Sequence, residues 1–258
     1  MSEGRANLTT QLKRVGEESW APIGELPEFG ATGTSHAGTG FAPSNESLLS
    51  PSVLDEAAPL DVFDCFDRSW QLFKTNLGPS IGATMITVVI TFIVDRMSDK
   101  IPANAGVIVS SLLTSVLFAG YNYYFLLRAR GQPAGVGDVF IGFRTALVPL
   151  LLVTLVSCLI VFLGFAFFIL PGIYLGVGYA FASLLAVDKK LNFWDALETS
   201  RRVVTKQWWR VLGLLCLSMF VSALGLIAFG IGVVFTIPIA TGALVNAYDH
   251  LFRTDESG

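Results

Sequence analysis

Charge is what this sequence has least of. Only 14% of its 258 residues are Asp, Glu, Lys or Arg, against roughly 25% in an ordinary soluble domain. The shortage is concentrated: no charged residue stands between Thr145 and Val187, or between Val211 and Tyr248. These uncharged runs of 43 and 38 residues far exceed the ~18–20 that mark one membrane-spanning helix, and no soluble core accommodates them.

Sulfur and imidazole are scarce too. Cys65, Cys158 and Cys216 are an odd number without a CxxC pair, which excludes a disulfide framework and reads as three free thiols. His36 and His250 lie too far apart to suggest a metal site. No basic cluster offers the electrostatic footprint of a nucleic-acid binder. GxSxG, HExxH, Walker A and GxGxxG motifs are all missing. No ionisable residue stands near the middle of an apolar run, where a membrane-embedded enzyme would need one. The expectation is a protein without catalysis, cofactor or metal.

What is present is apolar. Hydrophobic residues make up 53% of the chain, and mean hydropathy is +0.62. Residues 1–58 stand apart: "ELPEFGATGTSHAGTGFAPSNESLLSPS" is rich in Gly, Ser, Thr and Pro and has no period, as expected of a disordered tail. Within it, "NLTTQLKRVGEESW" fits a short helix. The tail reads either as a docking segment for a protein partner or as a plain solvated extension. The start of the chain has no apolar stretch of the signal-peptide kind.

Residues 59–253 resolve into six candidate spans, followed by a short tail at 254–258. The spans cover about 77–94, 104–127, 145–167, 170–187, 208–229 and 232–251, each suited to a hydrocarbon core of ~30 Å. The last four come from dividing the uncharged runs at Pro171-Gly172 and at Gly230-Ile231-Gly232. The fold class expected is an all-α integral membrane protein with six transmembrane helices as three hairpins. Of fourteen Lys and Arg residues beyond position 58, only Arg96 and Lys100 fall on the second side. Positive charge marks the cytoplasmic side, so both termini are expected there, in a bacterial inner membrane.

An amphipathic interfacial segment precedes each hairpin: "DVFDCFDRSWQLFKTN" from Asp61, "DVFIGFR" from Asp138 and "NFWDALETSRRVVTKQWW" from Asn192. The first and third align without gaps, placing Ser69 on Ser200 and Gly82 on Gly213. The returning helices align as well, with Asn122 on Asn246 and Tyr124 on Tyr248. A parallel threefold repeat follows, its axis along the membrane normal. In the third segment Phe193, Trp194, Leu197, Val204 and Trp208 share a helical face, as in a helix lying flat with its apolar stripe in the acyl boundary. Arg201, Arg202, Lys206 and Arg210 are the candidate contacts to lipid headgroups; passive anchoring is the plainer reading. Asn122, Tyr124, Tyr179, Asn246 and Tyr248 form the candidate polar cluster. They suit either a pocket near the axis or ordinary interhelical bonds.

"FKTNLG", "DVFIGFR" and above all "LPGIYLGVGYAFASLLAVDKKLNFWDALETSRR" (Leu170–Arg202) resemble a family of six-span bacterial membrane proteins of unknown function. It includes the YciC-like group and the membrane domain attached to some glycerophosphodiester phosphodiesterases. The resemblance implies a helical membrane domain over about Asp61–Arg253, with no catalytic residue to carry over. Two functions remain open: a non-enzymatic domain that binds membrane lipids or scaffolds a partner, and a transporter or channel for a small or amphiphilic solute. Oligomeric state is not legible.

Overall fold

A computed structural model describes residues 11–12, 21–22, 59–100, 102–227 and 232–252. The chain divides into two compact units, 1–40 and 41–258. In the first, Gln11–Leu12 (β1) pairs antiparallel with Ala21–Pro22 (β2), so Gln11 and Leu12 are extended where a short helix was expected. The rest of the expected disordered tail, and the tail at 254–258, lie outside the described residues.

The second unit is helical. In order it comprises α1 (Val62–Thr75), α2 (Leu77–Ser98), α3 (Ala103–Ala129), a 3₁₀ turn (Val136–Phe140), α4 (Ile141–Thr145), α5 (Leu147–Phe167), α6 (Ile169–Gly178), α7 (Ala182–Asp188), α8 (Phe193–Lys206), α9 (Trp208–Ile227) and α10 (Val233–Phe252). Among the described residues, five helical stretches are long and apolar enough to cross a membrane: Leu77–Ser98, Ala105–Ala129, Leu147–Phe167, Ile169–Asp188 and Trp208–Gly225. Their burial is inverted relative to a soluble protein. The Leu147–Phe167 stretch has a mean hydropathy of 2.8, yet only 17% of it is buried. Leu155, Leu159 and Phe162 on α5, Val89 and Phe92 on α2, and Met219 and Phe220 on α9 all face outward. Such a surface is stable only where hydrocarbon is the solvent.

The repeat seen in the sequence recurs in backbone geometry. Asp61 and Asn192 cap α1 and α8, each side chain accepting from the N–H groups two and three residues on. Such a cap contributes ~1 kcal/mol. At the far ends Asn76, Ala146 and Gln207 bend the chain into the following helix, with φ/ψ of −127/36, −138/25 and −127/33. These elbows are one conformation used three times.

Packing follows the same rule. Each opening segment lies against a helix of another repeat: the 3₁₀ turn and α4 against α3, α8 against α6 and α7, and α1 against α10. The last contact closes a ring. α3 supplies much of the core, with Val116, Leu117, Tyr121, Tyr124, Phe125 and Leu126 all buried. Interhelical hydroxyl bonds join it to its neighbours: Thr84 Oγ1 with the Tyr121 hydroxyl (2.8 Å), and Thr154 Oγ1 donating to Ser115 Oγ (2.8 Å). In lipid such bonds and close packing of small residues take over the role that the hydrophobic effect has in water.

The amphipathic segments turn out to face the protein. In α8 the buried residues are Ala196, Leu197, Thr199, Ser200, Val203 and Val204. Leu197 and Val204 therefore pack on other helices and not in the acyl boundary. Trp194 alone of the expected stripe is strongly exposed. In α1 the buried line is Cys65, Ser69 and Phe73, while Phe63 and Trp70 point outward. An apolar stripe looks the same in sequence whether lipid or protein covers it. The small residues beside the stripe mark a protein contact, because they let backbones approach.

Candidate functional site

The fourth expected span is a broken helix. α6 ends at Gly178, Tyr179–Phe181 form a turn, and α7 begins at Ala182. Ser200 bridges the gap: its hydroxyl donates to the Gly178 carbonyl (2.7 Å) and accepts from the Phe181 N–H (3.3 Å). Gly176-Val177-Gly178 thus ends a helix as well as packing within it. The repeat equivalent, Ser69, donates to the Ile239 carbonyl of α10 (2.6 Å). Ser200→Ala is expected to cost ~1–3 kcal/mol, since it leaves a buried carbonyl and a buried N–H unpaired. Thermal unfolding in detergent reads this; a loss under about 0.5 kcal/mol would show that the break closes without the hydroxyl.

Just beyond α7 lies a cluster that the sequence reading overlooked. Arg130, the residue closing α3, donates from Nε to Asp249 (2.7 Å), and from Nη1 and Nη2 to Asp188 (2.7 and 3.1 Å). The Tyr248 hydroxyl donates to the same Asp188 carboxylate (2.8 Å). Side-chain exposures are 22% for Arg130, 7% for Asp188 and 16% for Asp249. Burial pulls the guanidinium pKa down, but the hydrogen bonds that Arg130 donates to Asp188 and Asp249 outweigh it and hold Arg130 above its ordinary value. The cluster ties the ends of α3, α7 and α10 together. It was legible only as three separate ionisable residues at span ends.

The members of the expected polar cluster engage separate neighbours. Tyr248 joins Asp188, as above. Asn246 Nδ2 donates to the Cys65 carbonyl on α1 (3.3 Å). The Tyr124 hydroxyl is buried and unpaired, with the Arg128 guanidinium over its ring at 5.3 Å. Arg128 also donates to Asn76 Oδ1 (2.5 Å) and to the Ala134 carbonyl (3.1 Å), fixing the first elbow. Tyr179 and Asn122 are half-buried.

Two of the four candidate headgroup contacts share one carboxylate within their own helix. Glu198 accepts from Arg201 Nε and Nη2 (3.0 and 2.9 Å) and from Arg202 Nε (2.6 Å). The Arg201 bond, against some desolvation, holds the Glu198 carboxyl below its ordinary range. Lys206 and Arg210 instead line a recess of about 470 Å³ at the third elbow, together with Pro59, Thr205, Gln207, Trp208 and Trp209. Gln207 Oε1 accepts from the Leu60 N–H (2.6 Å), drawing the start of the domain over the recess. Trp208 stacks on Tyr174, and Trp209 is 78% exposed.

A second cavity, of about 300 Å³, opens between α2, α3 and α10. Thr84, Thr87, Val88, Thr91, Phe92 and Asp95 line one wall, and Phe118, Tyr121 and Ile237 the other. Neither cavity is lined by Asn122 or Asn246. Cys65, Cys158 and Cys216 are free thiols. Burial and then the neighbouring Asp64 push the Cys65 thiol up to about 11, so it is a poor nucleophile at neutral pH. No group of three or more His, Cys, Asp or Glu side chains able to hold a metal occurs among the described residues. No protein family, no curated protein and no solved structure matches this chain.

Proposed function

We propose that the chain is a six-span protein of a bacterial cytoplasmic membrane that binds anionic lipid headgroups and acts as a non-enzymatic membrane scaffold. The single observation carrying this is the recess at the Gln207 elbow. It sets two cations, Lys206 and Arg210, beside two interface-type aromatics, Trp208 and Trp209. Cations near an anionic surface contribute ~1 kcal/mol each, and indole rings favour headgroup depth. Arg201 and Arg202, held by Glu198, serve the fold instead.

The sixth span in this reading is α10. Its 20 residues match the others in length, and Asn246, Asp249 and His250 dilute its hydropathy. Two of these three are satisfied inside the protein, by Cys65 and Arg130. The pairings of α2 with α3, α5 with α6, and α9 with α10 are then three hairpins. Both termini lie on the cytoplasmic face with the recess, and the resemblance to the six-span family agrees. Labelling of cysteines placed at the two ends, from either side of sealed vesicles, tests the topology; opposite accessibility would end it.

The transporter reading draws on the groove between α2, α3 and α10. From Thr84 to Asp95 that groove covers about 16 Å of helix, roughly half of a ~30 Å core. A blind groove of this length suits binding more than passage. For the lipid reading, Lys206→Gln with Arg210→Gln is expected to weaken retention of phosphatidylglycerol about thirtyfold, from two lost contacts of ~1 kcal/mol each. Arg202→Gln, the control, changes it less than twofold. Native mass spectrometry of protein released from mixed vesicles gives the numbers; equal retention by the double variant and the parent refutes the site.

A further inference from the structure

We propose that the groove between α2, α3 and α10 holds one acyl chain of a phospholipid whose headgroup carries a primary amine, with the ammonium seated on Asp95. This rests on the membrane-spanning reading, but not on the recess at Gln207, which lies at the other end of the spans.

The groove is apolar along its length, through Val88, Phe92, Phe118 and Ile237. Val88, Phe92 and Phe118 are also 38%, 59% and 39% exposed, so it opens sideways onto the surface that hydrocarbon covers. An occupant therefore enters from the bilayer and brings an apolar body. The closed end is sealed by the bond between Thr84 and Tyr121. The open end is polar. Asp95 is the one carboxylate in the lining and makes no ion pair among the described residues. Asp95 is exposed at the groove mouth, one turn from the end of α2, where an incoming cation can reach it.

The nearest candidate within the protein is turned elsewhere. The Arg96 guanidinium lies over the Phe92 ring, 4.9 Å from its centroid, and reaches only the Asp99 carboxylate, at 3.9 Å. One turn inward from Asp95, Thr91 Oγ1 is buried with no hydrogen-bond partner. Residues 91 and 95 share a helix face, so the groove mouth offers a carboxylate without a cation and, beside it, a hydroxyl without a partner.

A primary ammonium supplies the missing donors. It carries three N–H groups, one for the carboxylate and one for the hydroxyl, and bonds of this charged kind are roughly twice as strong as neutral ones. A trimethylammonium has no N–H to give. A metal ion would find one carboxylate and one hydroxyl, too few ligands for its shell, and would leave the apolar length unfilled. Arg96, over Phe92 at the same mouth, suits the phosphate of a zwitterionic headgroup.

The test uses the full chain in vesicles containing phosphatidylethanolamine and phosphatidylcholine with identical acyl chains. Native mass spectrometry is expected to show about tenfold preferential retention of the amine lipid. Asp95→Asn should bring that preference to within twofold, while Val88→Trp, which fills an already exposed position, should lower retention of both lipids at this site. A phosphatidylethanolamine with a photoreactive acyl chain should label the 84–96 stretch of α2. Equal retention of the two lipids by the parent protein, or labelling confined to other helices, would overturn the proposal. Either result leaves phosphatidylglycerol retention through Lys206 and Arg210 unaffected, so the two sites stand or fall separately.

Discussion

Arg130→Met is expected to be among the most damaging single substitutions in the protein, costing about 3–5 kcal/mol. Three helices end at this point, and the C-terminal end of a helix carries partial negative charge. Two of the three add a carboxylate, Asp188 at the end of α7 and Asp249 near the end of α10. Arg130 is the cation that bonds both. Without it, two largely buried carboxylates remain near one another, with the Tyr248 hydroxyl as the donor still bonded to Asp188. Removing one partner of a buried ion cluster leaves uncompensated buried charge, which is why the loss is large.

Replacing all three charges together, by Arg130→Met with Asp188→Leu and Asp249→Leu, should recover most of the loss, because apolar residues of similar volume often substitute for a complete buried ion cluster at little cost. Thermal unfolding of the three proteins in one detergent at pH 8 decides it. A single variant within 1 kcal/mol of the parent at pH 8 would mean that the cluster is solvated and incidental.

That cluster also shows what the sequence withheld. Helix positions were largely legible: the expected spans at 77–94, 104–127, 145–167 and 208–229 fall on α2, α3, α5 and α9, because a run of eighteen or more apolar residues has few other uses. Arg130 and Asp188 stand 58 residues apart, and Arg130 and Asp249 stand 119 apart. Each alone is an ordinary charge at the end of an apolar run, and nothing local distinguishes a paired one from a solvated one. The break at Tyr179–Phe181 was hidden in the same way. No proline, glycine pair or charge marks it within the turn; the residue that permits it is Ser200, on another helix. Of the headgroup candidates, Lys206 and Arg210 border a recess while Arg201 and Arg202 do not. That division depends on Glu198, three residues before Arg201, whose reach the helix period made foreseeable.

The opening segment of the second repeat is much shorter than the other two, and this makes Gly120→Ala the companion large effect. α1 and α8 have 14 residues each, enough for side chains to cover a neighbouring helix. The second repeat has only the five-residue 3₁₀ turn and the five-residue α4, so it meets α3 backbone to backbone. A Cβ on Gly120 would coincide with the Val139 carbonyl, and one on Gly142 would come within 2.8 Å of the Val116 carbonyl. Val139 is fully buried, so the turn has nowhere to move without leaving its site. Helix propensity favours alanine over glycine by ~1 kcal/mol. Overpacking of a side chain costs ~1–3 kcal/mol, and a collision with a fixed carbonyl belongs at or above the top of that range. The net expectation is a loss of about 2–4 kcal/mol, with α4 and the turn displaced from α3. Gly82→Ala and Gly213→Ala, equivalent to each other in the repeat, meet nothing within 4 Å and should be neutral or gain up to ~1 kcal/mol. All three variants share one chemistry and one detergent, so unfolding midpoints compare directly. If Gly120→Ala ranks with the other two, the close crossing of α3 and the 3₁₀ turn does not exist, and the second repeat is held in the ring by some other contact.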